Sequence, residues 1–273
     1  GGGVSDGGGA VVIERGFCWN TEGKPTVLDF CVKDTEGGLG SFTSNIPNLV
    51  PNTRYYIRAF AVNANGVAGY GEEVSFTTLD TTNGYEYVDL GLSVKWATCN
   101  VGANKPEDYG NYYAWGEITI KSSYRNNSKT FGLSISELQT QGYIDSEGNL
   151  TAQYDAATAN WGGDWRMPTY DELVELKNNC TWTWTTQNGV NGYNVEGPNG
   201  NSIFLPAAGC RSGSSLYYAV GGLGNYWSST AHEYITDMSS YICYGFDLNF
   251  NSGQHKMDYS LRYYGQSVRP VIK

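Results

Sequence analysis

Chemistry has few places to start in this chain. Its two histidines, His232 and His255, both fall in one polar stretch near the C-terminus. A nucleophilic triad would need a nucleophile and an orienting acid to converge on one of them. No Gly-x-Ser-x-Gly elbow, phosphate-binding glycine loop or His-Glu-x-x-His zinc motif occurs. The six cysteines, Cys18, Cys31, Cys99, Cys180, Cys210 and Cys243, show no Cys-x-x-Cys or other metal-type spacing, so neither a metal nor a cofactor is expected. Both buried thiols and disulfides fit them, and Cys18 with Cys31 is the pair to expect because both lie in one small domain. Glycoside hydrolysis needs only two carboxylates at the right separation, and 27 acidic residues leave that route open.

What remains is recognition without chemistry. From Gly224 onward the sequence is crowded with Tyr, Ser, Asn, Asp, His and Arg. Tyr offers large, rigid, amphipathic contact area at low entropic cost, and small polar residues offer adaptable hydrogen bonds. The candidate ligand-binding residues are His232, Tyr234, Tyr241, Tyr244, Asn249, Asn251, His255, Asp258, Tyr259, Arg262, Tyr263 and Tyr264. The stretch alternates as strands do, so one set would face outward while Ile242, Phe246, Leu248 and Phe250 pack inward. The competing reading is a surface whose polar residues simply face water.

These residues need a scaffold, and composition restricts its kind. A length of 273 residues suits two domains. The 36 glycines are scattered in turn-like clusters, and 22 Tyr and 8 Trp run throughout, which fits short strands between tight turns and excludes a disordered chain. The formal charge is −10 with no run of Lys or Arg, so neither nucleic acid nor an anionic membrane surface is an expected partner. No apolar stretch approaches the roughly 20 residues that span a bilayer. The abrupt Gly1-Gly2-Gly3 start reads as a truncated or processed one, so the lack of a leader says nothing against export.

Residues 1–79 read as all-β. Strands are expected over 11–19, 26–32, 54–63 and 73–78, with a turn at Asn65-Gly66. Residues 54–63 alternate strictly, with either Tyr56, Arg58, Phe60 and Val62 or the reverse set inward. The strings Glu14-Arg15-Gly16-Phe17-Cys18-Trp19, Gly40-Ser41-Phe42-Thr43, Leu49-Val50-Pro51-Asn52-Thr53-Arg54-Tyr55-Tyr56-Ile57-Arg58-Ala59 and Val74-Ser75-Phe76-Thr77-Thr78 resemble a fibronectin type III-like module. Such modules occur in surface lipoproteins of Gram-negative gut anaerobes. The resemblance implies an immunoglobulin-like β-sandwich, here lacking its first strand or two and so exposing an edge. Residues 80–84 read as a polar linker.

From Tyr85 the text changes. A hairpin is expected over 87–97 with its turn near Gly91, an aromatic strand over 109–117, and helices where Ser134 with Glu137 and Thr169 with Glu172 make capping boxes. An Ala-rich helix is expected over 152–160, and further strands over 182–184, 193–196, 202–206, 226–229, 245–250 and 267–272. The strings Tyr87-Val88-Asp89-Leu90-Gly91-Leu92-Ser93-Val94-Lys95-Trp96-Ala97, Tyr113-Ala114-Trp115-Gly116-Glu117, Trp161-Gly162-Gly163-Asp164-Trp165-Arg166-Met167-Pro168-Thr169, Ile203-Phe204-Leu205-Pro206-Ala207-Ala208-Gly209, Tyr226-Trp227-Ser228-Ser229 and Ser267-Val268-Arg269-Pro270-Val271 resemble the FISUMP, or major paralogous, domain. The resemblance spans residues 85–273 and implies a C-type lectin-like fold. The whole is thus expected to be a β-rich α+β protein, a fibronectin-like sandwich followed by a lectin-like head.

That resemblance sets further expectations. Formylglycine-generating relatives of the fold need paired reactive cysteines near the C-terminus, and Cys243 alone does not match. Calcium-binding lectins use Glu-Pro-Asn and Trp-Asn-Asp elements, whereas Glu196-Gly197-Pro198-Asn199 reads better as a hairpin turn and Trp227-Ser228-Ser229 lacks the acid. Asp145–Asn149 lacks EF-hand spacing. Trp96, Trp115, Trp161, Trp165 and Trp227 suit a core, with sugar stacking as the alternative, and Arg166 and Arg269 suit pairing with carboxylates such as Asp164 or Glu172. Lectin-like domains also carry retroelement-diversified variable regions enriched in these same residue types. The expected protein is an exported, surface-exposed adhesin that binds a protein or glycan and meets a membrane only through an upstream anchor. A structural or fimbrial subunit and a glycan hydrolase are the alternatives.

Overall fold

The structure, a computed structural model, describes residues 1–34, 36–217, 220–235 and 241–273, leaving outside that description the side chains at 217, 233–235, 241 and 242. It divides into two compact units, Gly1–Thr81 and Thr82–Lys273, both rich in antiparallel sheet.

The first unit holds strands β1 (Gly2–Val4), β2 (Val12–Asn20), β3 (Phe30–Lys33), β4 (Gly40–Phe42), β5 (Arg54–Asn63), β6 (Ala68–Tyr70) and β7 (Val74–Thr77). One sheet runs β3-β2-β5-β6, with β7 also on β5, and a second consists of β1 and β4. Phe17 and Phe42 join the two sheets, ring to ring at 5.0 Å. Buried Arg15 lies over Phe42, pairs with Asp34 at 2.7 Å and donates to the Gly38 and Leu39 carbonyls, so its charge is satisfied under the sheet. Tyr55 opens β5, and its hydroxyl accepts the Val50 N–H at 3.0 Å. The strand expected over 26–32 begins only at Phe30, because Asp29 turns Thr26–Asp29 into a local loop by accepting the Thr26 N–H.

The second unit holds β8 (Asp80–Thr82, which begins just before the division), β9 (Tyr85–Val88), β10 (Lys95–Ala97), helices α1 (Ile135–Thr140), α2 (Ala156–Trp161) and α3 (Tyr170–Asn179), β11 (Thr181–Gln187), β12 (Val190–Glu196), β13 (Ser202–Pro206), β14 (Cys210–Ser212), β15 (Ser215–Tyr217), β16 (Leu223–Ile235), β17 (Tyr241–Asn251), β18 (Gln254–Leu261) and β19 (Val271–Ile272). The division between the units falls within the expected linker 80–84, part of which is strand. Residues 80–82 form a strand in the sheet β19-β10-β9-β8, folded back at Asn83-Gly84. That sheet joins the last strand to an early one, with Trp96 opposite Val271.

All three helices carry side-chain N-caps. Ser134 with Glu137 and Thr169 with Glu172 form full capping boxes, while Asp155 accepts the Ala157 and Thr158 N–H groups and starts α2 later than its Ala content suggested. The run 109–117 is not a strand. Tyr113 makes one bridge to Gln266, and the Trp115 N–H bonds to the Arg262 carbonyl, so the segment threads through the core as satisfied coil. Likewise only Val271–Ile272 of the expected last strand is regular.

Among the described residues two large hydrophobic clusters form the core of this unit, one around Trp115, Trp161, Trp165 and Trp227 and one around Trp96, Tyr226, Leu248 and Phe250, with a small third of Tyr112, Ala114 and Tyr124. All five tryptophans are buried. Trp115, Trp165 and Trp227 donate their indole N–H to the carbonyls of Ser228, Thr82 and Tyr113. Sugar stacking by these rings is excluded by that burial. Arg166 pairs with Glu172 as expected, but Arg269 meets no carboxylate. It is buried and donates instead to Asn100 and to the carbonyls of Ala97, Thr98 and Phe204.

Candidate binding surface

Nine of the twelve candidates sit on the meander β16-β17-β18, and Arg262, Tyr263 and Tyr264 follow its last strand. Its register places His232 opposite Tyr244, Phe246 opposite Tyr259, Leu248 opposite both Tyr226 and Met257, and Phe250 opposite His255. Directly paired residues share a face, so all of these project to one side of the sheet. Half of that side is covered by Leu173 and Leu176 of α3 and by Trp182 of β11. Among the described residues nothing covers the other half. There, five rings form one group, with His232 4.3 Å from Phe246 and 4.9 Å from Tyr259, Tyr244 4.9 Å from Tyr259, and Tyr170 4.4 Å from Phe246.

Tyr259 is 42% exposed, and the rings of Tyr170, His232, Tyr244 and Phe246 are half-buried beside it. Burial, and then the nearby Arg262 guanidinium, push the His232 imidazole below its ordinary value, so it is neutral at pH 7. The group is thus an uncharged, amphipathic platform of mutually tilted rings. It can stack on a sugar ring or an apolar side chain.

Arg262 does not belong to the contact surface, contrary to expectation. It is fully buried, 5.0 Å over the Trp115 ring, and donates to the carbonyls of Tyr244, His232, Leu133 and Thr130. Two of those carbonyls belong to platform residues, so Arg262 holds the platform from beneath. Gly245, between Tyr244 and Phe246, admits Trp115 against the sheet's reverse side, where an added Cβ would lie 2.6 Å from the indole.

The remaining candidates scatter. Asn249, Asn251 and Asp258 project to the opposite side of the meander, where Asp258 pairs with Lys256 at 2.7 Å and Asn251 accepts two N–H groups in its own hairpin turn. His255 shares the platform's side but stacks on Trp182 at 4.6 Å in the covered half. Tyr263 packs edge-on against Phe131 at 5.0 Å, and Tyr264 against the first core cluster. Tyr234 and Tyr241 lie in paired strands, but their side chains fall outside the described residues. The sequence reading missed Tyr170 and placed Phe246 inside. Only the pairing register puts Phe246 beside Tyr259, and only the start of α3 brings Tyr170 to it.

A groove of about 490 Å³ is lined by Asp145, Glu147, Asp155, Asp164, Arg166 and Glu172 among others. Asp155 is committed to capping α2 and to the Met167 N–H, and Glu172 to Arg166 and its own capping box. Asp145 accepts the N–H groups of Glu147 and Asn149 within its own loop. Pro198-Asn199-Gly200 is the turn joining β12 to β13, closed by the Gly200 N–H on the Gly197 carbonyl. Cys243 is buried, its thiol 3.1 Å from the Leu133 carbonyl. Among the described residues no three of His, Cys, Asp and Glu converge as a metal site, and no helix is long and apolar enough to cross a membrane. No protein-family model, curated protein or solved structure matches the chain.

Proposed function

We propose that this is an exported, surface-exposed binding protein in which a fibronectin type III-like module carries a C-type lectin-like head of the major paralogous type. The head engages a protein or glycan ligand without chemistry, through the platform of His232, Tyr244, Phe246, Tyr259 and Tyr170. The observation that carries this reading is the uncovered half of the meander. Cross-strand pairs such as Phe246 with Tyr259 stabilise the sheet by themselves, but five rings left half-exposed in one group form the kind of aromatic patch that ligand surfaces use. In the first unit the Tyr55 hydroxyl on the Val50 N–H supports the module, since a Tyr corner of this kind recurs in immunoglobulin-like sandwiches. In the second, three short helices among loop-rich antiparallel sheets are in keeping with a lectin-like fold.

The platform also suits retroelement diversification, because β16-β17-β18 is held by its ladder and by Arg262, which tolerates changes in the outward rings. A neighbouring reverse transcriptase and a near-copy template of this region would mark it. A gene neighbourhood with neither removes the idea.

The test is a screen of the full chain on glycan and protein arrays, with and without calcium, beside a Tyr244→Ala, Tyr259→Ala variant. The expected result is a hit that survives chelation and weakens roughly tenfold or more in the variant. A hit indifferent to both substitutions moves the site to the groove around Asp145, Glu147 and Asp164. One observation favours a second reading, a structural subunit that associates through its sandwich. The β1-β4 sheet leaves Phe30 and Val74 of the facing sheet 71% and 60% exposed.

A further inference from the structure

All six cysteines are thiols in this structure, yet two of them face each other. Cys18 of β2 and Cys31 of β3 are direct partners in the antiparallel register. Such pairs alternate between those that exchange backbone hydrogen bonds and those that do not, and the second kind brings side chains closer. The Asp34 N–H donates to the Arg15 carbonyl at 2.8 Å, so 15 and 34 are a hydrogen-bonded pair. Counting inward, 16 with 33 is of the close kind, 17 with 32 of the bonded kind, and Cys18 with Cys31 close again. In close pairs the Cα atoms are ~4.5 Å apart, inside the ~4.4–6.8 Å that a disulfide spans.

We infer that Cys18 and Cys31 form a cross-strand disulfide when the protein meets a low-molecular-weight disulfide such as oxidised glutathione. The partly exposed Cys31 is the entry point and the buried Cys18 the resolving thiol. The Cys31 thiolate attacks one sulfur of glutathione disulfide and expels a glutathione thiolate. The Cys18 sulfur, its proton passed to solvent, then attacks the Cys31 sulfur and expels the second. Two protein thiols are oxidised, and one glutathione disulfide becomes two glutathiones. The native thiols give up little. Cys18 Sγ lies 3.6 Å from the Arg58 carbonyl and Cys31 Sγ 3.4 Å from that of Asp29, and a thiol is a weak donor. Burial pushes the Cys18 thiol up to about 11 and raises the Cys31 thiol as well, so both steps are slower than for free cysteine. The bond would tie the base of the loop 19–30, whose Asn20, Leu28, Asp29 and Phe30 line a groove of about 520 Å³ with Tyr55.

The full chain, purified reduced, is equilibrated with excess glutathione disulfide, quenched with an alkylating agent under native conditions, unfolded, and mapped by mass spectrometry. The expected product is a linked Cys18–Cys31 peptide, lighter by two hydrogens than the dithiol, as the main disulfide of the chain. In a Cys31→Ser variant, which leaves the buried residue intact, Cys18 should stay a thiol. Glutathione retained on Cys31 with Cys18 free at equilibrium would overturn the inference, as would recovery of both residues as thiols.

Discussion

Asp247 is the residue most at odds with its surroundings. It is fully buried on the reverse side of β17, where Oδ2 accepts from Ser260 Oγ at 2.6 Å and Gln266 Nε2 at 2.7 Å. Its Oδ1 has no donor, and the side-chain oxygens of Asn225 and Gln266 and the Ser267 hydroxyl are likewise buried without a partner. Burial raises the carboxyl from its ordinary 3.8 to about 6. The sign follows from linkage. Below about pH 4 the acid is neutral in both folded and unfolded chains, and its contribution is intact. Between about 4 and 6 only the unfolded chain ionises, and stability is lost as pH rises. The difference corresponds to about 3 kcal/mol. Asp247→Asn keeps an oxygen for Ser260 and Gln266 and puts an N–H donor where Oδ1 lacks one. Urea unfolding should find it more stable by up to about 3 kcal/mol at pH 7, with the gain fading to nothing at pH 4. A variant that is weaker at pH 7 would mean that the carboxylate has a counter-charge and that this account is wrong.

At the scale of elements, the meander works because Arg262 clamps it. Its guanidinium reaches carbonyls on β16, on β17 and in the 130–133 segment at once. A lysine ammonium cannot span them, so Arg262→Lys should cost about 2–4 kcal/mol and blunt ligand binding along with stability. Denaturation of the variant beside its array signal checks this, and an unchanged midpoint would refute the clamp. Elements written in local chemistry were legible in the sequence. Ser134 with Glu137 and Thr169 with Glu172 announced α1 and α3, strict alternation marked β5, and Pro198-Asn199-Gly200 announced the turn before β13. The platform was legible only by composition. His232, Tyr244 and Tyr259 stood out, but alternation within one strand does not say which side a partner strand or helix covers. Leu248 and Phe250 are buried by α3 and Trp182, whereas Phe246, on the same side, is left among the rings. Residues 226–229 and 245–250 read as separate short strands because the irregularity between Trp227 and Ala231 interrupts the pattern of one long hairpin. The run 109–117 misled for the opposite reason, since its aromatic residues are buried by tertiary contacts that any backbone shape can make.

Across the whole molecule, charge and apolar surface are in opposition. The formal charge is −10 at pH 7, and its self-repulsion keeps copies apart. Exposed apolar residues, however, concentrate in the first unit. Val11, Ile13, Leu28, Phe30, Leu39, Val50, Val67 and Val74 are each more than half exposed, against Ile120 alone among the described large apolar residues of the second. As pH falls toward the isoelectric point near 4.7 the repulsion vanishes and that surface is free to associate. Acid unfolding should not intervene. Asp29, held down by the Thr26 N–H, and Glu137, held down by its Ser134 cap, take up protons only below their ordinary range, and the Asp247 contribution is rising. Sedimentation of the full chain from pH 7.5 to 4.7 should therefore show reversible, concentration-dependent oligomers with native circular dichroism. A Phe30→Glu, Val74→Glu variant should stay monomeric at a pH where the parent associates. If Ile120→Glu suppresses association instead, the first unit does not mediate it, and the structural-subunit reading falls.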